Sequence, residues 1–112
     1  MLTFTSTAQY WIQKAGGITI DEASDIALDN SGNTYTVGYF TGTANFGSTT
    51  LNAQGSTDIF LLKTNNQGLI QWAVSAGGTS SDKGLAIAVD NAGNSYITGF
   101  YNGTVMFDTV SF

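Results

Sequence analysis

Any chemistry this chain performs has to come from carboxylates and aromatic rings, because it contains no histidine, cysteine or arginine. The commonest general base and zinc ligand, the thiolate nucleophile and the planar phosphate clamp are therefore all missing. Asp21, Glu22 and Asp25 form the tightest acidic group, and two carboxylates at a suitable separation can supply acid and base to a glycosidic bond. Of the three, only Asp21 returns later in the chain, as Asp82. A carboxylate recurring just ahead of a strand reads more simply as an acceptor for backbone N–H groups at a crossover. The chain is accordingly expected to be no enzyme, with no catalytic residue, no metal ligand and no cofactor.

A second group of oxygen-bearing residues is Asp29-Asn30-Ser31-Gly32-Asn33-Thr34-Tyr35, answered later by Asp90-Asn91-Ala92-Gly93-Asn94-Ser95-Tyr96. Calcium loops place carboxylates at alternate positions. Here Asp-Asn-Ser-Gly-Asn provides one carboxylate and the residues of a tight turn. Asp29, Gly32 and Asn33, with Asp90, Gly93 and Asn94, are therefore expected to build two equivalent hairpin turns, the glycines taking positive φ. Ring chemistry has two further candidates. Neighbours on a strand point to opposite faces, so one ring of Tyr39-Phe40 and one of Phe100-Tyr101 is available to a sugar, the best place here for a ligand. Trp11 and Trp72 are expected to pack between sheets instead. Asn102-Gly103-Thr104 matches a glycosylation sequon but also suits a plain turn.

The elements that must position these residues follow from a self-comparison. Sliding the sequence over itself by 61 residues aligns Trp11 with Trp72, Gly16-Gly17 with Gly77-Gly78, Gly38 with Gly99 and Phe46 with Phe107. A period of that size belongs to repeat architectures, in which one unit cannot bury both its faces alone. Aromatic and β-branched residues are frequent and no long window has helical spacing, so the class is all-β. Strands are predicted over residues 23–29, 33–40, 58–64 and 69–76, and in the second copy over 84–90 and 94–101. A small hairpin at about 46–51 interrupts the long connection, and Asn65-Asn66-Gln67-Gly68 forms a further turn. Ile26, Leu28, Phe60, Leu62, Ile87, Val89, Trp11 and Trp72 are expected to be buried. Four-stranded antiparallel propeller blades, about two per chain, fit this pattern better than a sandwich or jelly roll.

The net charge of −5 and the absence of arginine argue against nucleic acid and anionic membranes as partners. No apolar run approaches membrane-spanning length, and residues 1–11 lack the basic start and apolar core of a signal segment.

The ordered set Asp58-Ile59-Phe60-Leu61-x-Lys63, Gly68-x-Ile70-x-Trp72-x-x-x-Ala76-Gly77-Gly78, Asp82 and Ile87-Ala88-Val89-Asp90-x-x-Gly93-Asn94-x-Tyr96-x-x-Gly99 resembles the SBBP-type bacterial β-propeller repeats. The resemblance covers nearly the whole chain. It implies a propeller fold and an extracellular or cell-surface location, and it carries no catalytic residues with it. The expected organisation is a single repeat unit over 1–112: third and fourth strands of a split blade in 1–17, a complete blade in 18–78, first and second strands in 79–112. Complementary halves predict head-to-tail self-association through Leu2, Phe4, Tyr10, Tyr96 and Phe100, as a ring or a filament. The expected function is that of a non-enzymatic structural or interaction module. A lectin-like glycan binder is the alternative, and another surface protein a further possible partner.

Overall fold

A computed structural model of the chain describes residues 15–104 and the short strand Met106–Phe107. Leu2, Phe4, Tyr10 and Trp11 lie outside the described residues. Ten strands are described: β1 (Ala15–Gly17), β2 (Asp21–Leu28), β3 (Thr34–Phe40), β4 (Thr43–Phe46), β5 (Thr49–Asn52), β6 (Asp58–Thr64), β7 (Ile70–Gly77), β8 (Lys83–Val89), β9 (Ser95–Phe100) and β10 (Met106–Phe107). The protein is all-β, and every sheet pairing between these strands is antiparallel.

β2, β3, β6 and β7 form a meander, with β10 added to the free edge of β7. β4 and β5 form a hairpin that pairs with β1, and β8 and β9 form a separate hairpin. The small hairpin is longer than the sequence indicated: its strands run from Thr43 to Asn52 about a turn containing Gly47 at φ 62°. The sheets do not close on one another among the described residues.

Strand alternation sends neighbouring residues of the meander into two different cores. On one face Phe40, Phe60, Leu62 and Ala73 are covered by Ala44, Phe46 and Leu51 of the β4–β5 hairpin. The Phe46 ring lies 5.0 Å from that of Phe60 and 6.3 Å from that of Phe40. On the other face Tyr35, Val37 and Leu61 meet Ile87 of β8, flanked by Ala27, Ile59, Trp72, Val74 and Val89. The apolar run Ile59-Phe60-Leu61-Leu62 is thus packed on both sides.

Pairings recur at the sequence offset. Ala15 opposite Phe46 and Gly16 opposite Asn45 return as Ala76 opposite Phe107 and Gly77 opposite Met106. The bulge between Ala23 and Asp25 returns between Gly84 and Ala86. At that bulge β2 crowds β3 so closely that only glycine fits at Gly38: an added Cβ would stand 1.9 Å from the Glu22 carbonyl oxygen.

One expectation is corrected. Ile26 and Leu28 are 57% and 66% exposed, whereas Ile87 at the equivalent position is 9% exposed. β8 lies on the Asp25 and Ala27 side of β2. Ile26 and Leu28 point the other way, beyond the cover of the β4–β5 hairpin.

Candidate interaction surface

The turns are built by carboxylates that serve the backbone. Asp29 Oδ1 accepts from the N–H groups of Ser31 (2.9 Å) and Asn33 (3.0 Å), while its Oδ2 accepts from Asn33 Nδ2 (2.8 Å) and the Tyr35 hydroxyl (3.3 Å). Asp90 repeats this with Ala92 (2.9 Å), Asn94 (2.9 Å), Asn94 Nδ2 (2.8 Å) and Tyr96 (3.2 Å). Gly32 and Gly93 close the turns at φ 81° and 84°. The Asn65 loop uses the same device between β6 and β7, its Oδ1 accepting from Gln67 (2.9 Å) and Leu69 (3.0 Å). Each Asp oxygen is already shared by two donors, which accounts for these residues as turn formers.

The acidic group does not converge on one point. Asp21 Oδ2 accepts from Gly17 N–H at 2.7 Å, and Asp82 Oδ2 accepts from Gly78 N–H at 2.8 Å. Asp82 Oδ1 takes the Asn102 N–H at 3.2 Å. Thr41, the counterpart of Asn102, instead donates its N–H to the Ile20 carbonyl at 2.9 Å. That difference leaves Asp21 Oδ1 buried without a partner. Glu22 Oε2 accepts from the Tyr39 hydroxyl at 2.5 Å. Asp25 accepts from its neighbour Ile26 N–H (2.9 Å) and, across to the second hairpin, from Ile87 N–H (2.9 Å).

These bonds make acid a destabilising condition. The Ile87 and Ile26 amides hold Asp25 below the usual carboxylate range; the Asn33 and Asn94 side chains, with backbone amides and tyrosine hydroxyls, do the same for Asp29 and Asp90. A lowered folded pKa contributes stability above the ordinary carboxylate value that is lost as pH falls through the folded one. Burial pushes Asp58 up, which has the opposite sign: it favours the fold in acid and loses that contribution as pH rises through the raised value. From the three lowered carboxylates, with Asp58 acting against them, thermal unfolding is expected at a lower temperature at about pH 3 than at pH 7. An unchanged or higher Tm in acid would contradict this.

Five contacts seat the β8–β9 hairpin on the meander. Asp25 holds the Ile87 amide, and Ile87 fills the cluster of Tyr35, Val37 and Leu61. Gly84 lies so close that an added Cβ would stand 2.6 Å from Val37 Cγ2. The Lys83 ammonium sits 4.1 Å from the centre of the Tyr39 ring, whose hydroxyl is held by Glu22. At the turn tips Asn30 Nδ2 donates to Asn91 Oδ1 at 2.8 Å. The sequence placed Ile87 in a core but marked none of these pairings as a contact. The Asn30 and Asn91 match was visible in the repeated heptapeptide, but Asp25 and Lys83 have unlike counterparts, Ala86 and Glu22, and gave no repeat signal.

The β2–β3 part of the seat has a second, exposed copy. Asp25, Ala27, Tyr35, Val37 and Tyr39 correspond to Ala86, Ala88, Tyr96, Thr98 and Phe100, all of them exposed. The face that enters the seat, Ile87 and Val89, corresponds to exposed Ile26 and Leu28. Of the ring pairs considered for a ligand, Tyr39 and Phe40 are enclosed, while Phe100 and Tyr101 are open at 44% and 63%. Asn102 is exposed, its Nδ2 donating to the Ser81 carbonyl at 3.3 Å.

Searches with the chain against protein families, curated proteins and solved structures find no match. Among the described residues no helix is long and apolar enough to cross a membrane.

Proposed function

We propose that the chain is a non-enzymatic structural and interaction module, built as propeller-type blades that stack face to face and associate head to tail with their own kind. One observation carries this reading: the β2–β3 part of the seat that receives the β8–β9 hairpin recurs, exposed, on that hairpin's own outer face, while the complementary face recurs exposed on β2. Two unlike faces that fit each other generate a heterologous contact, which propagates until it closes on itself or grows as a filament. Apolar side chains open on both faces supply the driving force. Four-stranded meanders added side by side, each leaning on the next, are the construction of a propeller.

A catalytic reading has no support of comparable weight, since the candidate carboxylates are occupied by backbone amides and a tyrosine hydroxyl. A glycan site would rest on Phe100 and Tyr101 alone. A place at the bacterial surface or outside the cell follows from the repeat resemblance only.

Light scattering after size exclusion tests the proposal. The expected mass is a multiple of 11.7 kDa that falls on dilution. A folded monomer at every concentration would refute it.

A further inference from the structure

The contact inside the chain serves as a template for the contact between chains. Every unit has an asparagine at the tip of its first turn, Asn30 and Asn91, and inside the chain the first donates its Nδ2 to the Oδ1 of the second. No other described hydrogen bond uses Asn30 Oδ1 or Asn91 Nδ2, the acceptor and donor that one more bond of the same kind requires. Both residues are exposed.

Charge follows the same order. At the position paired with Tyr39 the first unit carries Glu22, and at the position paired with Phe100 the second carries Lys83. Inside the chain both Glu22 and Lys83 are gathered at the Tyr39 ring. Where the second unit of one copy meets the first unit of another, Lys83 and Glu22 approach again, each held at the Tyr39 ring of its own chain. Unlike charges are thereby brought near one another, whereas two copies of the same face would bring like charges together.

We infer that the exposed face of the β8–β9 hairpin is occupied by β2 of a second copy of this chain, in the register that places Asn91 of one copy against Asn30 of the other. Ile26 and Leu28 then enter a seat lined by Ala88, Tyr96, Thr98 and Phe100. The junction is not a perfect replica of the internal one. Ala86 stands where Asp25 clips the neighbouring amide, Ala23 brings a methyl group where Gly84 has none, and the β6–β7 side of the internal seat, with Leu61, is not repeated among the described residues. Ile26 N–H does not need the missing clip, because its own Asp25 already accepts from it at 2.9 Å. The junction between copies is thus the weaker of the two and separates on dilution while the hairpin stays seated.

This inference rests on the head-to-tail reading and adds the register. The chain has no cysteine, so N30C and N91C each introduce one reactive thiol at an exposed turn tip. The two variants are mixed while dilute, concentrated, and treated with a short bis-maleimide. A cross-linked dimer is expected in the mixture and not in either variant alone, since Asn30 never meets Asn30 nor Asn91 Asn91 in this arrangement. Cross-linking of a single variant with itself, or none in the mixture, overturns the register. Light scattering on the same samples separates the two failures: assembly without the cross-link removes the register alone, and monomers remove the head-to-tail reading with it. Circular dichroism of each variant, expected to match the parent chain, excludes unfolding as the cause.

Discussion

Gly38→Ala is expected to cost at least about 3 kcal/mol of folding stability, beyond most overpacking substitutions. The usual remedy for an oversized side chain is rotation of its neighbours, and here the neighbours are backbone. The added methyl would lie 1.9 Å from the Glu22 carbonyl oxygen and 2.9 Å from the Ala23 Cα, with the Phe60 ring at 2.8 Å behind them. The β2 bulge that creates this crowding is pinned by the Asp25 bonds to Ile26 and Ile87, so relief by sliding the strand would also unseat the β8–β9 hairpin. Urea denaturation followed by tryptophan fluorescence reads the effect as a lower midpoint. A midpoint equal to that of the parent chain would show that β2 yields easily at the bulge. Gly99 meets the same condition, 2.1 Å from the Lys83 carbonyl oxygen, which makes the close approach a property of the repeated bulge and not of one strand pair.

The second large effect is a contrast between equivalent residues. Ile87→Ala is expected to cost about 2–5 kcal/mol, because Ile87 is enclosed by Tyr35, Val37 and Leu61 and its loss leaves a cavity. Ile26→Ala is expected to change the stability of the dilute chain by no more than about 0.5 kcal/mol, because more than half of that side chain already faces water. On the proposed head-to-tail association, Ile26→Ala should also weaken assembly at high protein concentration, since the junction would lose the side chain that takes the place of Ile87. Denaturation at low and at high protein concentration separates the two contributions. Equal costs for Ile26→Ala and Ile87→Ala in the dilute chain would mean that the β2 face is covered within one chain, contrary to the open face described here.

Much of this architecture is local, which is why it was legible. Asp29 and Asp90 lie within a few residues of every group they bind, so spacing alone identified the turns and the positive φ of Gly32 and Gly93. Phe60 and Leu62 could be assigned to a core because an uninterrupted apolar strand has no solvent side. The β1 and β4 pairing was not foreseen: Ala15–Gly17 is too short and glycine-rich to read as a strand without its partner. Asp25 looked like part of an acidic cluster, yet its defining contact is with an amide 62 residues away.

Sequence by itself determined the strand class, the turns, the 61-residue offset and which residues share a face. Those properties depend on backbone preference and side-chain alternation, which act over a few residues and read alike in each copy. Tertiary structure alone decided which faces are covered. Ile26 and Ile87 hold equivalent places in the repeat, as do Tyr35 and Tyr96, yet one of each pair is buried and the other open. Alternation states that a face is apolar; whether another sheet lies within van der Waals reach of it is a long-range fact that no short pattern encodes. The unlike counterparts at the seat, Asp25 with Ala86 and Glu22 with Lys83, acquired meaning only once β8 was laid across β2 and β3.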